Sequence, residues 1–263
     1  MALANGLLVH GPGHWAAAVR DEDGRVVVAS GRKHLFRAGP LTNLPFARGL
    51  VRLAEAFAVL PSVRRGLPQA RFAMEDRRAV AGALGATVVA AIARRRLRYV
   101  IAQEAVGAMA GLAPALMTLR GSRAAVWHAV EHKSIAAYES GGADEVAHAD
   151  VHAKEHDRCG SNLILPLMVS TTIGNTIARK MFRRRAFGAR TVIAALSVGA
   201  AVEVFSFSAR RPEHPVSRVI HSVGHSMQSG FATREPSQSD LLVGRAAMEA
   251  LLRAEERDGT LAS

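Results

Sequence analysis

Two histidines four residues apart, with a glutamate just before the second, are the residues in this chain best suited to chemistry. They are His128 and His132, with Glu131 between them. On a helix, both imidazoles project from one face, one turn apart, where they can bind the same divalent metal ion. Glu131 lies on the same turn, close enough to take a proton from a water that the metal activates. The spacing therefore predicts a metal site on a helix, with Glu131 as its general base.

Four further residues could complete this site. Glu139 lies on the same helical stripe as the two histidines and is a candidate ligand. Further along the chain, His156 and Cys159 are three residues apart, and Gly160 lets the backbone turn sharply after them. Two ligands from a helix and one or two from a tight loop are typical of a four-coordinate zinc site. Arg158 is a candidate to stabilise negative charge that develops during a reaction.

The number of ligands separates a catalytic site from a structural one. Three protein ligands leave one position of a zinc ion open to water or substrate, as in hydrolases. Four ligands, for example both histidines with His156 and Cys159, close the shell and make the site structural. The sequence offers enough ligands for either outcome, so both interpretations stay open.

The composition favours a membrane protein. Mean hydropathy is +0.10 and 49% of residues are hydrophobic, while charged residues make up 21%. The formal net charge is +12, and basic residues cluster beside apolar runs, at 94–98 and 180–185. Such clusters are typical of segments that flank a bilayer and face anionic headgroups. Aromatic residues are only 5%, and no motif for cradling phosphates or stacking RNA bases is present, which argues against a nucleic-acid partner.

The apolar runs predict a mainly α fold built around a multi-helix membrane bundle at 79–209. About four segments are expected, at 79–93, 100–119, 163–178 and 191–208. A bilayer crossing needs roughly 20 residues, so only the second is comfortably long and the others could be re-entrant. The metal-site loop at 120–161 lies within this region. A soluble helical core is the alternative.

Weaker patterns flank the bundle. Residues 1–38 predict a β-hairpin region, because 14–20 and 25–30 have strand character around an acidic, Gly-ended loop. Residues 39–78 predict an amphipathic or interfacial helical region, with apolar residues at helical spacing over 44–60. Residues 210–263 predict a tail in which 241–256 forms a solvent-facing amphipathic helix, with Ser237 as N-cap and Asp240 in its first turn.

Three further patterns have two interpretations each. Glu203 lies within the last apolar segment and must be paired or line a cavity. His221 and His225 could be a second metal pair or two exposed polar positions on a helix. The positive-inside rule puts 94–98 and 180–190 on the cytoplasmic side, which sends the loop 120–161 to the opposite face unless the short segments are re-entrant.

Several ordered blocks carry a resemblance to a known family. They read His-Ala-Val-Glu-His-Lys-Ser-Ile at 128–135 with Tyr-Glu at 138–139, His-Asp-Arg-Cys-Gly-Ser at 156–161, Thr-Arg-Glu-Pro at 233–236, and Asn-Gly-Leu-Leu-Val-His-Gly-Pro at 5–12. In these blocks the chain resembles the YqhQ-like family, bacterial membrane proteins that contain a domain of unknown function and are described as predicted metal-dependent enzymes. The resemblance implies a multi-pass protein of the inner membrane with a metal centre, and it implies no substrate.

These patterns favour a membrane-embedded, metal-dependent enzyme, with a hydrolase that uses metal-activated water as the leading hypothesis. Zinc is the expected metal, and Glu131 and Arg158 are the expected catalytic residues. Membrane lipids are the expected partners, a peptide or lipid-linked substrate would suit a site beside the bilayer, and a homo-oligomer is an open option. Two alternatives remain: a non-catalytic membrane scaffold with a structural metal, and a basic lipid- or RNA-binding protein of the membrane surface.

Overall fold

A small antiparallel sheet and ten α-helices make up the part of the chain that the structure describes. The structure is a computed structural model, and it describes residues 1–34, 36, 39, 43–72, 75–157, 159–182 and 187–259. The strands are β1 (Gly6–His10), β2 (His14–Arg20) and β3 (Val26–Arg32). The helices are α1 (Ala47–Ala58), α2 (Leu60–Gly66), α3 (Arg77–Arg96), α4 (Val100–Ala110), α5 (Ala113–Leu119), α6 (Arg123–Gly141), α7 (Ser161–Met181), α8 (Phe187–Arg210), α9 (Pro215–Met227) and α10 (Gln238–Arg257). A 3-10 helix at Asp144–Val151 follows α6, and a π-helical turn at Gln228–Ala232 follows α9. The prediction of a mainly α fold is confirmed.

The three strands form an antiparallel sheet in the order β1-β2-β3. The predicted hairpin is β2 and β3, and Gly24 takes a φ of 79° in the turn between them. The prediction did not anticipate β1 as a third strand. Side chains alternate between the two faces, so Leu7 and Ala16 pack towards α6 and α10 whereas Leu8 and Trp15 pack towards α2. Both faces are therefore covered at β1 and β2, whereas Val26 and Val28 of the edge strand β3 are 40% and 39% exposed.

Helix α10 lies in the core of this region instead of facing solvent as predicted. It begins with a capping box, in which Ser237 and Asp240 exchange hydrogen bonds between side chain and backbone. Its apolar stripe packs on the sheet and on α6, and Val243 and Ala247 are fully buried. A Cβ on Gly244 would lie 2.5 Å from Val130 Cγ1, so only glycine permits this close approach to α6. We call the sheet, α6 and α10 the α/β core.

All four predicted apolar segments are helical, as α3, α4 with α5, α7 and α8. The second is interrupted at 111–112, and Pro114 then lies in the first turn of α5, where its missing N–H is no loss. Two stretches, Val100–Leu119 and Gly188–Arg210, are long and apolar enough to cross a membrane. Their apolar windows are only 11% and 22% buried, unlike the core helix of a soluble protein. Membrane association is indicated by these two helices, and the four-segment bundle stays a prediction.

Polar contacts tie these apolar helices to each other and to α1. Glu203 on α8 is paired, as one of its two interpretations required: Arg48 donates to Oε1 from Nε at 2.7 Å, and the Phe46 N–H donates to the same oxygen at 3.2 Å. On α7, Arg179 Nη1 donates to Gln103 Oε1 at 2.6 Å and to Glu104 Oε1 at 2.7 Å. The helical stretch predicted over 44–60 is present as α1, Ala47–Ala58, and the second helix, α2, begins at Leu60 and extends beyond that stretch.

Candidate metal centre

Helix α6 and the segment before α7 bring three potential ligands together. One ligand atom each from His128, His132 and Cys159 lies within 4.8 Å of the other two, and among the described residues this is the group of histidine, cysteine and acidic side chains that could hold a metal. The two histidines lie one turn apart on α6, with ring centroids 4.3 Å apart. Cys159, only 7% exposed, precedes α7. The predicted convergence of the histidine pair with Cys159 is thus present.

Both imidazole rings are held by backbone carbonyls. His128 Nδ1 lies 2.9 Å from the carbonyl oxygen of Ala232, and His132 Nδ1 lies 2.6 Å from that of Lys154. A carbonyl can only accept, so each Nδ1 must carry the proton and donate it. The Nε2 atoms are therefore directed towards the cluster, and that of His128 is 3.3 Å from Cys159 Sγ. Metal-binding histidines are usually oriented in this way.

The electrostatics of the cluster favour the thiolate of Cys159. Burial raises the pKa of Cys159, but hydrogen bonds with His128 and His132 outweigh it and lower the pKa to about 5. Burial lowers the pKa of His128, yet the interaction with Cys159 outweighs it, so the pKa of His128 is raised. The Ser161 N–H, in the first turn of α7, also donates to Sγ at 3.4 Å. A thiolate beside an imidazolium is a site in which a metal ion can replace a proton.

Glu131 lies beside the cluster as predicted. Its side chain is 17% exposed and forms an ion pair with the Met1 ammonium. Burial raises the pKa of Glu131, but that ammonium and the rings of His128 and His132 outweigh it and lower the pKa below its usual value. Glu131 is therefore a carboxylate at neutral pH, next to the potential ligands. Its role as general base stays a prediction.

The other predicted site residues have different positions. His156 Nε2 lies 3.1 Å from Glu139 Oε2, so these two residues pair with each other. The ring of His156 is 5.9 Å from that of His132, adjacent to the three-residue cluster but not within it. Ligation by His156 or Glu139 stays a prediction. Arg158 lies outside the described residues.

Two residues that the sequence did not single out, Lys133 and Gln228, form hydrogen bonds with the backbone of the segment between α6 and α7. Lys133 is 4% exposed, and its Nζ donates to the carbonyls of Asp150 at 3.0 Å and His152 at 2.7 Å. Lys133 directly follows His132 within the block 128–135 that resembles the family, and this position was the sequence signal that could have identified it. Gln228 is fully buried and accepts the His156 N–H at 2.8 Å. Nothing in its sequence context marked it.

The second histidine pair faces the same loop. His225 Nε2 is 2.9 Å from Asp157 Oδ1, and His221 Nδ1 is 3.8 Å from the same oxygen. His221 has a side chain only 12% exposed, so the interpretation as two exposed positions does not fit it. These residues do not form a group as tight as His128, His132 and Cys159 in the described part of the chain.

The donor set of the cluster fits zinc. Zinc prefers imidazole nitrogen and thiolate sulfur, and tetrahedral sites draw on both. The lowered pKa of Cys159 favours its thiolate, and the hydrogen bonds at Nδ1 leave Nε2 of each ring as the atom that a metal would bind in place of a proton. Three donors also leave a fourth position for another group.

Comparisons with known proteins identify the family but no activity. No curated protein and no solved structure matches the chain. The family described as "Protein of unknown function (DUF1385)" matches residues 120–254, which is just over half of the chain. The matched region begins before α6 and ends within α10, so it includes all three residues of the cluster. The chain therefore belongs to the DUF1385 family of proteins of unknown function.

Proposed function

We propose that this protein is a membrane-associated, metal-dependent hydrolase with a zinc ion held by His128, His132 and Cys159. The observation that carries the proposal is the convergence of these three donors, with both Nδ1 atoms bonded to backbone carbonyls. An isolated H-x-x-E-H pattern supports a metal site only modestly. Cys159, which comes from a different element and converges on the two histidines, adds a third donor that the pattern itself does not contain.

The number of donors supports a catalytic over a structural site. A structural zinc site uses four protein ligands, whereas a catalytic site uses three and keeps one position open. His156, the nearest candidate for a fourth ligand, has its Nε2 3.1 Å from Glu139. Among the described residues, three ligands therefore converge, with the carboxylate of Glu131 beside them.

The chain's own residues have distinct roles in the proposed reaction. A bound divalent metal would supply a Lewis acid that lowers the pKa of water at the open position. Glu131, ionised at neutral pH, would accept the proton of the attacking water on a carboxylate oxygen. Ala232 and Lys154 hold the two imidazoles through their carbonyls, so the ligand geometry is fixed before substrate binds. Arg158, next to Cys159 in the sequence, is proposed to stabilise the negative charge on the substrate.

The proposed location is the bacterial inner membrane, with several crossings. The exposed apolar faces of Val100–Leu119 and Gly188–Arg210 support contact with lipid. Cys159 directly precedes α7, one of the apolar helices, while His128 and His132 lie on α6, so the cluster lies beside the end of an apolar helix. A site at that position suits a substrate that is itself membrane-bound, so a lipid-linked molecule or a membrane-associated peptide is the proposed substrate class.

The test uses purified wild type and two variants, His132→Ala and Glu131→Gln, with metal analysis and complementation of a deletion strain. His132→Ala is expected to lose the metal because it removes one of three ligands. Glu131→Gln is expected to keep the metal and lose complementation, since the amide cannot accept the proton. Glu249→Gln, an exposed glutamate on α10, is the control and should behave as wild type.

Full complementation by Glu131→Gln would contradict the hydrolase. A structural metal is the second candidate, because the cluster joins α6 to the segment before α7. That candidate predicts full complementation by Glu131→Gln together with a marked loss of thermal stability on metal removal. Absence of metal from the wild type, even after zinc is added, would contradict both.

A further inference from the structure

A basic cleft lies at the start of α6, separate from the metal cluster. It consists of two adjoining cavities of about 380 and 330 Å³ that share Gly121, Arg234 and Glu235. The larger cavity is bounded by the end of α5, the loop that carries Lys154 and the π-helical turn. The smaller extends past the first residue of α6 to the first turn of α10. Three segments distant in sequence, at 120–126, at Lys154 and at 229–240, thus meet around one space.

Three cations line the larger cavity without a carboxylate partner among the described residues. They are Arg120, Lys154 and Arg234, for which the structure shows no side-chain ion pair or hydrogen bond to a described group. The one acidic residue on the wall, Glu235, is 2.9 Å from Lys133 Nζ, and that ammonium offsets its charge. The cavity therefore has a net positive charge that the described protein does not neutralise, and such a site attracts anions.

The backbone around the cleft also favours an anion. Helix α6 begins at Arg123, and its N-cap Ser122 makes no side-chain capping bond, so the first N–H groups lack that partner. Ser122 Oγ instead donates to the Leu119 carbonyl. Gly121 has a φ of 67°, and a Cβ on Gly230 would meet nothing within 4 Å. The positive φ accounts for glycine at 121, and at both positions the backbone beside the cleft is open to a close ligand.

We propose that this cleft binds a phosphate group, contributed either by a phospholipid headgroup or by a soluble phosphate compound. Arg120, Lys154 and Arg234 would supply charge-assisted hydrogen bonds, and the start of α6 would supply backbone donors. Lys154 links the two sites, since it lines the cleft while its carbonyl accepts the Nδ1–H of His132. This inference does not depend on the metal or on hydrolysis.

The test measures binding to the full chain in neutral detergent by isothermal titration calorimetry. One probe is inorganic phosphate, and the other is phosphatidylglycerol in mixed micelles, with phosphatidylcholine micelles as the reference. The wild type is expected to bind at least one of the two phosphate probes saturably. Arg120→Gln/Lys154→Gln/Arg234→Gln is expected to weaken that binding by at least about tenfold, because each cation makes a charge-assisted contact. Binding of inorganic phosphate identifies a soluble ligand; binding of phosphatidylglycerol alone identifies a headgroup site.

A matched control distinguishes binding in the cleft from nonspecific attraction of phosphate by the positive net charge of the chain. Arg245→Gln/Arg253→Gln/Arg257→Gln removes the same number of charges from the exposed face of α10 and should change the affinity less than about twofold. Equal losses in the two triple variants, or no saturable binding by the wild type, would overturn the proposal. Cys159→Ser, which removes a proposed metal ligand that does not line the cleft, should retain phosphate binding, so failure of the metal hypothesis is distinguishable from failure of this one. An unchanged unfolding midpoint verifies that the cleft variant is folded.

Discussion

The α/β core and the apolar helices place their hydrophobic side chains in opposite environments. In the core, Leu7 and Val243 are fully buried between the sheet, α6 and α10. On α3 and α8, Leu84 is 65% exposed and Leu196 is 50% exposed. Apolar surface left in water costs roughly 25 cal/mol per Å². The first region therefore buries its hydrophobic residues within the chain, while the second exposes apolar side chains that the described part of the chain does not cover.

The candidate metal centre lies where these two regions meet. His128 and His132 come from α6 in the core, whereas Cys159 comes from the segment that leads into α7. Lys133 and Gln228 hold the intervening loop through backbone contacts. A metal at this point would connect the α/β core to the apolar helices.

The largest expected effect comes from a matched pair of leucines. Leu7→Ala should destabilise the folded protein by about 2–5 kcal/mol, because it leaves a cavity in a packed core. Leu84→Ala should change stability by less than about 0.5 kcal/mol, because the side chain packs little against protein and alanine favours a helix. Chemical unfolding of both variants in the same detergent measures the difference. Similar losses would show that the outer face of α3 packs against protein, for example a second copy of the chain.

A charge on α8 tests the environment of the apolar helices. Leu196→Arg should disfavour membrane insertion by about 2.5–3.5 kcal/mol, the cost of arginine near the centre of a bilayer. Leu196→Phe keeps the position apolar and should insert as wild type does. Fractionation of cells into membrane and soluble parts, followed by quantification of the chain, measures the effect. If Leu196→Arg stays in the membrane fraction at wild-type level, the exposed face of α8 does not contact lipid.

A smaller effect is expected at the start of α10 in the α/β core. Hydrogen bonds from Ser237 and Arg123 outweigh burial and lower the pKa of Asp240. A carboxyl group whose pKa is lower in the folded than in the unfolded protein stabilises the fold at pH values above its unfolded-state pKa, about 4 for aspartate. This stabilisation is lost as the pH falls through the folded-state pKa. Asp240→Asn should therefore cost about 1 kcal/mol at pH 7 and progressively less in acid.

The control for this change is Glu249→Gln, which removes an exposed carboxylate from the same helix. Exposed ion pairs contribute little, so its cost should stay below about 0.5 kcal/mol. Unfolding curves for both variants and the wild type between pH 7 and pH 3 give the comparison. An Asp240→Asn deficit that does not shrink with falling pH would show that the lost stability is unrelated to ionisation.

Local patterns predicted the elements better than they predicted the contacts between them. The β2–β3 hairpin and the helices in the apolar runs followed from alternation, turn residues and hydrophobic length, which are short-range properties. The burial of α10 did not, because an amphipathic stripe does not reveal which surface it covers. Similarly, helical spacing placed His128 and His132 together, and Cys159, one of three candidates for a further ligand, lies with them. The pairing of His156 with Glu139 depends on the loop path, which Gln228 fixes from a distant segment.

Cobalt binding to the metal-free protein tests the metal centre most directly. The chain has a single cysteine, so a thiolate-to-cobalt charge-transfer absorption must come from Cys159. The wild type is expected to develop this absorption and saturate at one equivalent of Co²⁺, with zinc displacing it. Cys159→Ser should lack the band, and His132→Ala should weaken binding by at least about tenfold. A wild type that shows no such band on addition of cobalt would contradict a metal centre at His128, His132 and Cys159.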